Sequence, residues 1–148
     1  MTHTWWSRPC ADVVQREAIT LDVETTVREA LDVLSRHRLP SAPVLDDNQC
    51  LLGVVTWHDL FALITRVDGE VEDAMTPPVA AWHSMPVSAV RQLMHETRAA
   101  RVHVIDDEGR LVGVVTALEL LEGSSAEALA VDELHTPAGG EEAANHPA

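Results

Sequence analysis

The chain has 148 residues, 46% of them apolar, and a net charge of −14 from ten arginines, no lysine and 24 acids. Such a field repels nucleic acid, whose binding draws on basic patches and counterion release, and without lysine there is neither a Walker-type phosphate lysine nor Schiff-base chemistry. No apolar run reaches the length of a membrane span, the start MTHTWWSRPC lacks the pattern of a signal peptide, and two cysteines make no disulfide framework, so a cytoplasmic protein with no membrane partner is expected.

Residues 1–11 form an extension whose adjacent Trp5 and Trp6 would be an apolar liability unless packed on the body or a partner. Cys10 reads as a surface thiol and Cys50 as a strand-edge residue. Asp12 caps a short helix, and Ala18 to Val23 alternate as a first strand. Thr26 caps the segment TVREALDVLSRHR, where Val27, Ala30, Leu31 and Leu34 fall at amphipathic-helix spacing, and Pro40 stops it. Ala42 to Leu45 and Leu51 to Val55 make a hairpin turning at Asp46-Asp47-Asn48. Gly53 in the returning strand lets another backbone come close. Thr56 then caps a helix to about Arg66, with Asp59 in the capping-box position and Leu60, Leu63 and Ile64 at helical spacing. A strand running into a helix presents backbone N–H groups, a hydroxyl and a carboxylate at one point, which suits an anion beside a sugar diol. Capping alone explains the same residues. Val67-Asp68-Gly69 is a joint.

Beyond the joint the chain repeats itself. Val27 to Leu60 matches Val87 to Leu120 without a gap, and GVVTWHDL at 53–60 returns as GVVTALEL at 113–120. Asp73-Ala74-Met75 mirrors Asp12-Val13-Val14, and Val79 to Trp82 take the place of the first strand. Twelve steps separate Met75 from Val87, against thirteen from Val14 to Val27, which puts a lost residue near Ser84. Val87, Val90, Leu93 and Met94 mark the buried side of the next helix, Asp107-Glu108-Gly109 the hairpin turn, and Gly123 the end of the last helix. The expectation is an α+β fold of two β-α-β-β-α units, residues 12–68 and 69–122. A unit this small cannot cover its own sheet, so the two pack on each other about a pseudo-twofold axis and leave two related clefts. Residues 123–148 carry five acids and no base, a composition that reads as a disordered acidic tail.

Eight histidines form no metal-ligand pattern: His95-Glu96 begins like a zinc-protease helix, but residue 99 is alanine. Trp57 and Trp82 lie near the expected clefts, where they would stack on a ligand base or, as large side chains at element ends more often do, fill the core or an oligomer surface. Arg38 and Arg98 are matched helix-end arginines, explained by the helix dipole. Asp106-Asp107-Glu108 reads as an acidic turn. Without a GxSxG elbow, a CxxC, a Cys/His pair in context or a glycine-rich loop, no catalytic residue is expected.

Two such units, each with a hairpin strand ending in aspartate (PVLD at 43–46, HVID at 103–106) and each closing on GVVT, resemble the cystathionine-β-synthase (CBS) domain pair, or Bateman module. The resemblance covers Asp12 to about Glu122. It implies an adenosyl ligand, such as AMP, ADP, ATP, NAD or S-adenosylmethionine, in the clefts, and no required cofactor or metal. By that resemblance Asp59 takes both ribose hydroxyls and Thr56 reaches a phosphate, while Ile19, Thr20, Ser41 and Ala42 supply adenine and phosphate contacts. Pro40 and Ser41 stand where phosphate-binding members often carry basic residues, which argues against a triphosphate there. In the second copy Thr116 matches, Glu119 replaces the aspartate and Arg101 takes the phosphate-facing position, so unequal sites are expected. The family further implies a regulatory module that pairs into a disc-shaped homodimer and acts in trans on an unknown effector protein. The rival readings are a ligand-free structural or dimerisation module and a small nucleotide hydrolase.

Overall fold

The structure, a computed structural model, describes residues 5–16, 19–65 and 69–123. Strand β1 (Leu21–Asp22) runs parallel to β2 (Ser41–Leu45), which pairs antiparallel with β3 (Leu51–Thr56). Between β1 and β2 lies α1 (Val27–Arg36), and β3 leads directly into α2 (Trp57–Ala62). After α3 (Val71–Ala74) the pattern repeats with β4 (Ala80–Trp82), α4 (Val87–Thr97), β5 (Arg101–Ile105) and β6 (Leu111–Thr116), then α5 at 117–123. The result is the expected α+β pair, with one three-stranded sheet per copy.

Local chemistry sets these elements. Thr26 Oγ1 accepts the Glu29 N–H at 3.1 Å while Glu29 Oε1 accepts the Thr26 N–H at 3.0 Å, a capping box that starts α1. Its buried face is Val27, Ala30, Leu31 and Leu34. The aspartates ending each PVLD or HVID strand build the turns. Asp46 Oδ1 accepts the N–H groups of Asn48 and Cys50, and Asp106 Oδ1 those of Glu108 and Arg110, all at 2.8–2.9 Å. The two turns also dock on each other: Leu51 N–H donates to Gly109 O and Leu111 N–H to Gln49 O.

Several elements are shorter than their sequence suggests. Helix α1 ends before Arg38, which adopts φ 56°, and Arg98 behind α4 adopts φ 59°. Helix α2 closes at Ala62, where Leu63 and Ile64 N–H groups bond to carbonyls only three residues back; Arg66 lies outside the described residues. Strand β1 pairs over two residues and β4 over three. His103 donates its N–H to Val79 O at 2.9 Å, whereas Pro43 at the matching position has no N–H to give. Ala18, expected to open β1, and the tail beyond Gly123 lie outside the described residues.

The strand registers move the lost residue. Leu21 faces Val44 and Ala81 faces Val104, both sixty apart, as are Val27 and Val87. Gln15 and Thr76, which bridge Val114 and Val54, are sixty-one apart. The deletion therefore falls between Thr76 and Ala81, and not near Ser84.

Each copy's leading segment belongs to the other copy's core. Val71, Ala74 and Met75 pack with Leu21, Leu34, Val55 and Leu60, whereas Trp5, Trp6, Cys10, Val13 and Val14 pack with Ala81, Val90, Val102 and Leu120. Matching hydrogen bonds fix the exchange: Val27 N–H to Gly69 O in one half, Val87 N–H to Arg8 O in the other. The tryptophan pair thus packs on the body, edge to face at 5.0 Å, with the Arg91 guanidinium over Trp6. Cys10 is not a surface thiol: it is fully buried, its Sγ donating to Trp82 O, and burial pushes its pKa up.

The close approach expected at Gly53 is present, and Gly113 repeats it. A Cβ on Gly53 would meet Met75 Cγ at 2.2 Å and Thr76 O at 2.8 Å; one on Gly113 would meet Gln15 O at 2.5 Å. These are the crossings where the leading segments pass over β3 and β6.

Candidate functional site

The two Thr-x-x-acid corners are held by the sheets. Ser41 stands opposite Thr56 and Arg101 opposite Thr116 in the hairpin registers. Pro40 O accepts the Trp57 N–H and Ala100 O the Ala117 N–H, each at 2.8 Å. Each corner therefore lies beside the first residue of its own hairpin.

Those first residues meet across the copies. Ser41 and Arg101 line one cleft of about 240 Å³, walled by Val54, the segment Thr76 to Val79, Ala99, Ala100 and His103. Small-molecule sites span roughly 300–1,000 Å³, so a nucleotide seated here would keep part of its surface in solvent. Arg101 is the one cation among the lining residues. His103 is 4% exposed, and burial first, with the Arg101 charge second, lowers its pKa to about 4, so it is neutral at pH 7. The first-copy segment that matches Thr76–Val79 runs from Gln15 to Ile19, and its residues 17 and 18 lie outside the described residues.

The other candidates are placed variously. Ile19 is half-buried, and Ala42 is buried, so Ala42 can offer a ligand only backbone. Thr20 lines a separate hollow of about 340 Å³ with Arg16, Leu45, Gln49, Leu111 and Val112, away from Ser41 and Arg101. Trp57 is not in the cleft: it stacks on Phe61 at 4.9 Å, donates to Ser35 Oγ at 3.1 Å, and lines a groove between α1 and α2. Trp82 is exposed at the end of β4. His103, which the sequence marks as a hairpin histidine at Pro43's position, partly buried and not a ligand, is buried more deeply than that in the cleft wall; the Thr76–Val79 segment was not singled out, although the sixty-residue offset pairs Val79 with Ile19.

The corners differ in their carboxylates. Thr56 Oγ1 accepts the Asp59 N–H at 3.0 Å, but the Asp59 side chain does not return a bond to the Thr56 N–H. Among the described residues that carboxylate, half-buried, takes part in no hydrogen bond or ion pair. Glu119 does close the box: its Oε1 accepts the Thr116 N–H at 2.8 Å and the Thr116 hydroxyl at 3.2 Å. The capping box expected at Asp59 thus forms in the other copy, at Glu119; an aspartate can close such a box too, as Asp73 does on Glu70 N–H at 3.1 Å.

Among the described residues no cluster of three His, Cys, Asp or Glu side chains could hold a metal, and no helix is long and apolar enough to cross a membrane.

The family model for the CBS domain matches residues 10–66 and again 71–125. An inosine-5′-monophosphate dehydrogenase of Methanocaldococcus jannaschii is 31% identical over 112 residues, 75% of this chain but 22% of that enzyme. The chloroplastic CBS domain-containing protein CBSX1 of Arabidopsis thaliana is 28% identical over 124 residues, 62% of this chain and 52% of its own. The chain thus spans between a fifth and about half of these relatives' lengths. Among solved structures, Arabidopsis CBSX2 in complex with AMP superimposes with a TM-score of 0.70 at 29% identity, covering 80% of this chain and 97% of that one. The CBS domain pair of protein MJ0100, in complex with 5′-methylthioadenosine and S-adenosyl-L-methionine, gives 0.66 at 25%, covering 80% and 97%.

Proposed function

Because the chain belongs to the CBS domain family, as a tandem pair, we propose that it is a regulatory module that binds an adenosine-containing ligand between its two copies. The observation that carries this reading is the cleft lined by Ser41 of one copy and Arg101 of the other, each paired in its hairpin with the threonine that heads a Thr-x-x-acid corner. The AMP complex of CBSX2 and the methylthioadenosine and S-adenosylmethionine complex of the MJ0100 pair support the ligand class. In this reading Asp59 accepts the ribose hydroxyls, Thr56 donates to phosphate or sugar, and Val54 and Val79 border the base, while Ile19 and Ala42 belong to the related cleft. Arg101 meets a phosphate with its fork of donors. With one cation in the lining and His103 neutral, a monophosphate such as AMP, or S-adenosylmethionine, suits the cleft better than ATP or NAD.

The module works without a catalytic group. Ligand shifts the relative orientation of the copies by its differential affinity for two states, and contact passes the shift to an effector protein in trans. Trp57, Phe61, Leu118 and Leu121, exposed on α2 and α5, support pairing of two modules through their helices. Light scattering of the purified chain should report twice the chain mass. A thermal-shift panel of AMP, ATP, NAD and S-adenosylmethionine tests the ligand reading, since a ligand held only by the folded state raises the midpoint. The second reading, a ligand-free dimerisation module, draws on the small cleft and on Glu119; it predicts a dimer whose midpoint none of the four moves.

A further inference from the structure

A carboxylate grips a ribose by giving one oxygen to each of two adjacent hydroxyls, so both oxygens have to be available. Asp59 meets that requirement: among the described residues its carboxylate takes no partner, and the Thr56 hydroxyl there serves only as acceptor from the Asp59 N–H and keeps its hydrogen for a ligand. The second corner does not. Glu119 Oε1 already takes two donors, the N–H and the hydroxyl of Thr116, while Thr116 Oγ1 accepts the Glu119 N–H at 3.2 Å. The Thr116 hydroxyl and one of the two Glu119 oxygens are spent on each other.

We propose that this pair reads ribose at one corner only, Thr56 with Asp59, and that Glu119 is the residue that cancels the second by closing its own helix cap. The inference rests on the adenosyl-ligand reading above and deepens it, fixing one ribose-gripped ligand per chain. Releasing Glu119 for a diol would unmake the cap, at a cost of roughly three- to thirtyfold in affinity. The single free oxygen left to it could serve one hydroxyl, not two. Aspartate in its place would stand in the same Thr-x-x-Asp setting as Asp59 and should leave its carboxylate to a ligand as Asp59 does; Asp73, which does close a box, follows Glu70 and not threonine.

Titration calorimetry with AMP decides the matter. The wild-type chain should take one AMP per chain, Glu119→Asp should take two, and Asp59→Asn should bind at least tenfold more weakly, with circular dichroism melts confirming each fold. Should Glu119→Asp fail to fold, 2′,3′-dideoxy-AMP on the wild-type chain replaces it, and at least tenfold weaker binding than AMP is expected. Two equal AMP sites in the wild type, undiminished binding in Asp59→Asn, one site in a folded Glu119→Asp, or equal affinity for the dideoxy ligand would each overturn the inference while leaving ligand binding intact. No heat with AMP or S-adenosylmethionine would overturn both this inference and the reading beneath it.

Discussion

His103 ties the cleft to pH. Its pKa is about 4 in the folded chain, from burial and then the Arg101 charge, against roughly 6.5 when unfolded. The unfolded chain therefore binds more protons between those values, and stability present above pH 6.5 is lost as the pH falls toward 4. From pH 7 to 4.5 this single residue should remove about 2 kcal/mol. Urea unfolding of His103→Val at both values should show a loss smaller by about that amount; equal losses would mean the side chain does not titrate as its burial requires. Asp59→Ala should lower AMP affinity about tenfold or more at an unchanged melting point, since among the described residues that carboxylate holds no partner. At this scale the sequence was only partly legible. Thr56, Asp59, Arg101 and Glu119 could be picked out as matched positions, but which carboxylate bends back on its own threonine shows only in the folded corners. His103 at Pro43's position was visible, while its depth of burial was not.

Among the elements, the leading segments cross β3 and β6 at Gly53 and Gly113. Gly113→Ala would drive a methyl against Gln15 O, a backbone atom 2.5 Å away, whereas at Gly53 the nearest atom belongs to the flexible Met75 side chain, with Thr76 O behind it at 2.8 Å. Both substitutions should destabilise, by about 1–3 kcal/mol, and Gly113→Ala by more; chemical denaturation giving a neutral Gly113→Ala would contradict the crossing. Helix α1 and both hairpins were legible, because the Thr26 cap, the spacing of Val27, Ala30, Leu31 and Leu34, and the turn-building Asp46 and Asp106 all act locally. Element ends were not. Left-handed conformations at Arg38 and Arg98 have no sequence signature, since glycine is the residue such positions usually take. The missing N–H of Pro43 shortens β1 only once its parallel partner is known.

For the whole molecule, the exchange of leading segments is what makes two copies one body. Residues 69–75 complete the first core and residues 5–14 the second, a relation no local pattern announces, although the repeat and its twofold packing were readable from the sixty-residue echo. A fragment of residues 1–68 lacks Val71, Ala74 and Met75, and its two tryptophans have lost their seat. It should give no cooperative thermal transition, where the full chain gives one; a cooperative melt of the fragment would show that the copies fold independently. The same closure brings Ser41 and Arg101, sixty residues apart, to one cleft. The most direct test of that cleft as a ligand site is backbone amide chemical-shift mapping during an AMP titration. The account predicts that Ser41, Thr56 and Asp59 of one copy and Arg101 of the other shift together and saturate at one ligand per chain. Shifts confined to the Trp57–Phe61 groove, or none at all, would contradict it.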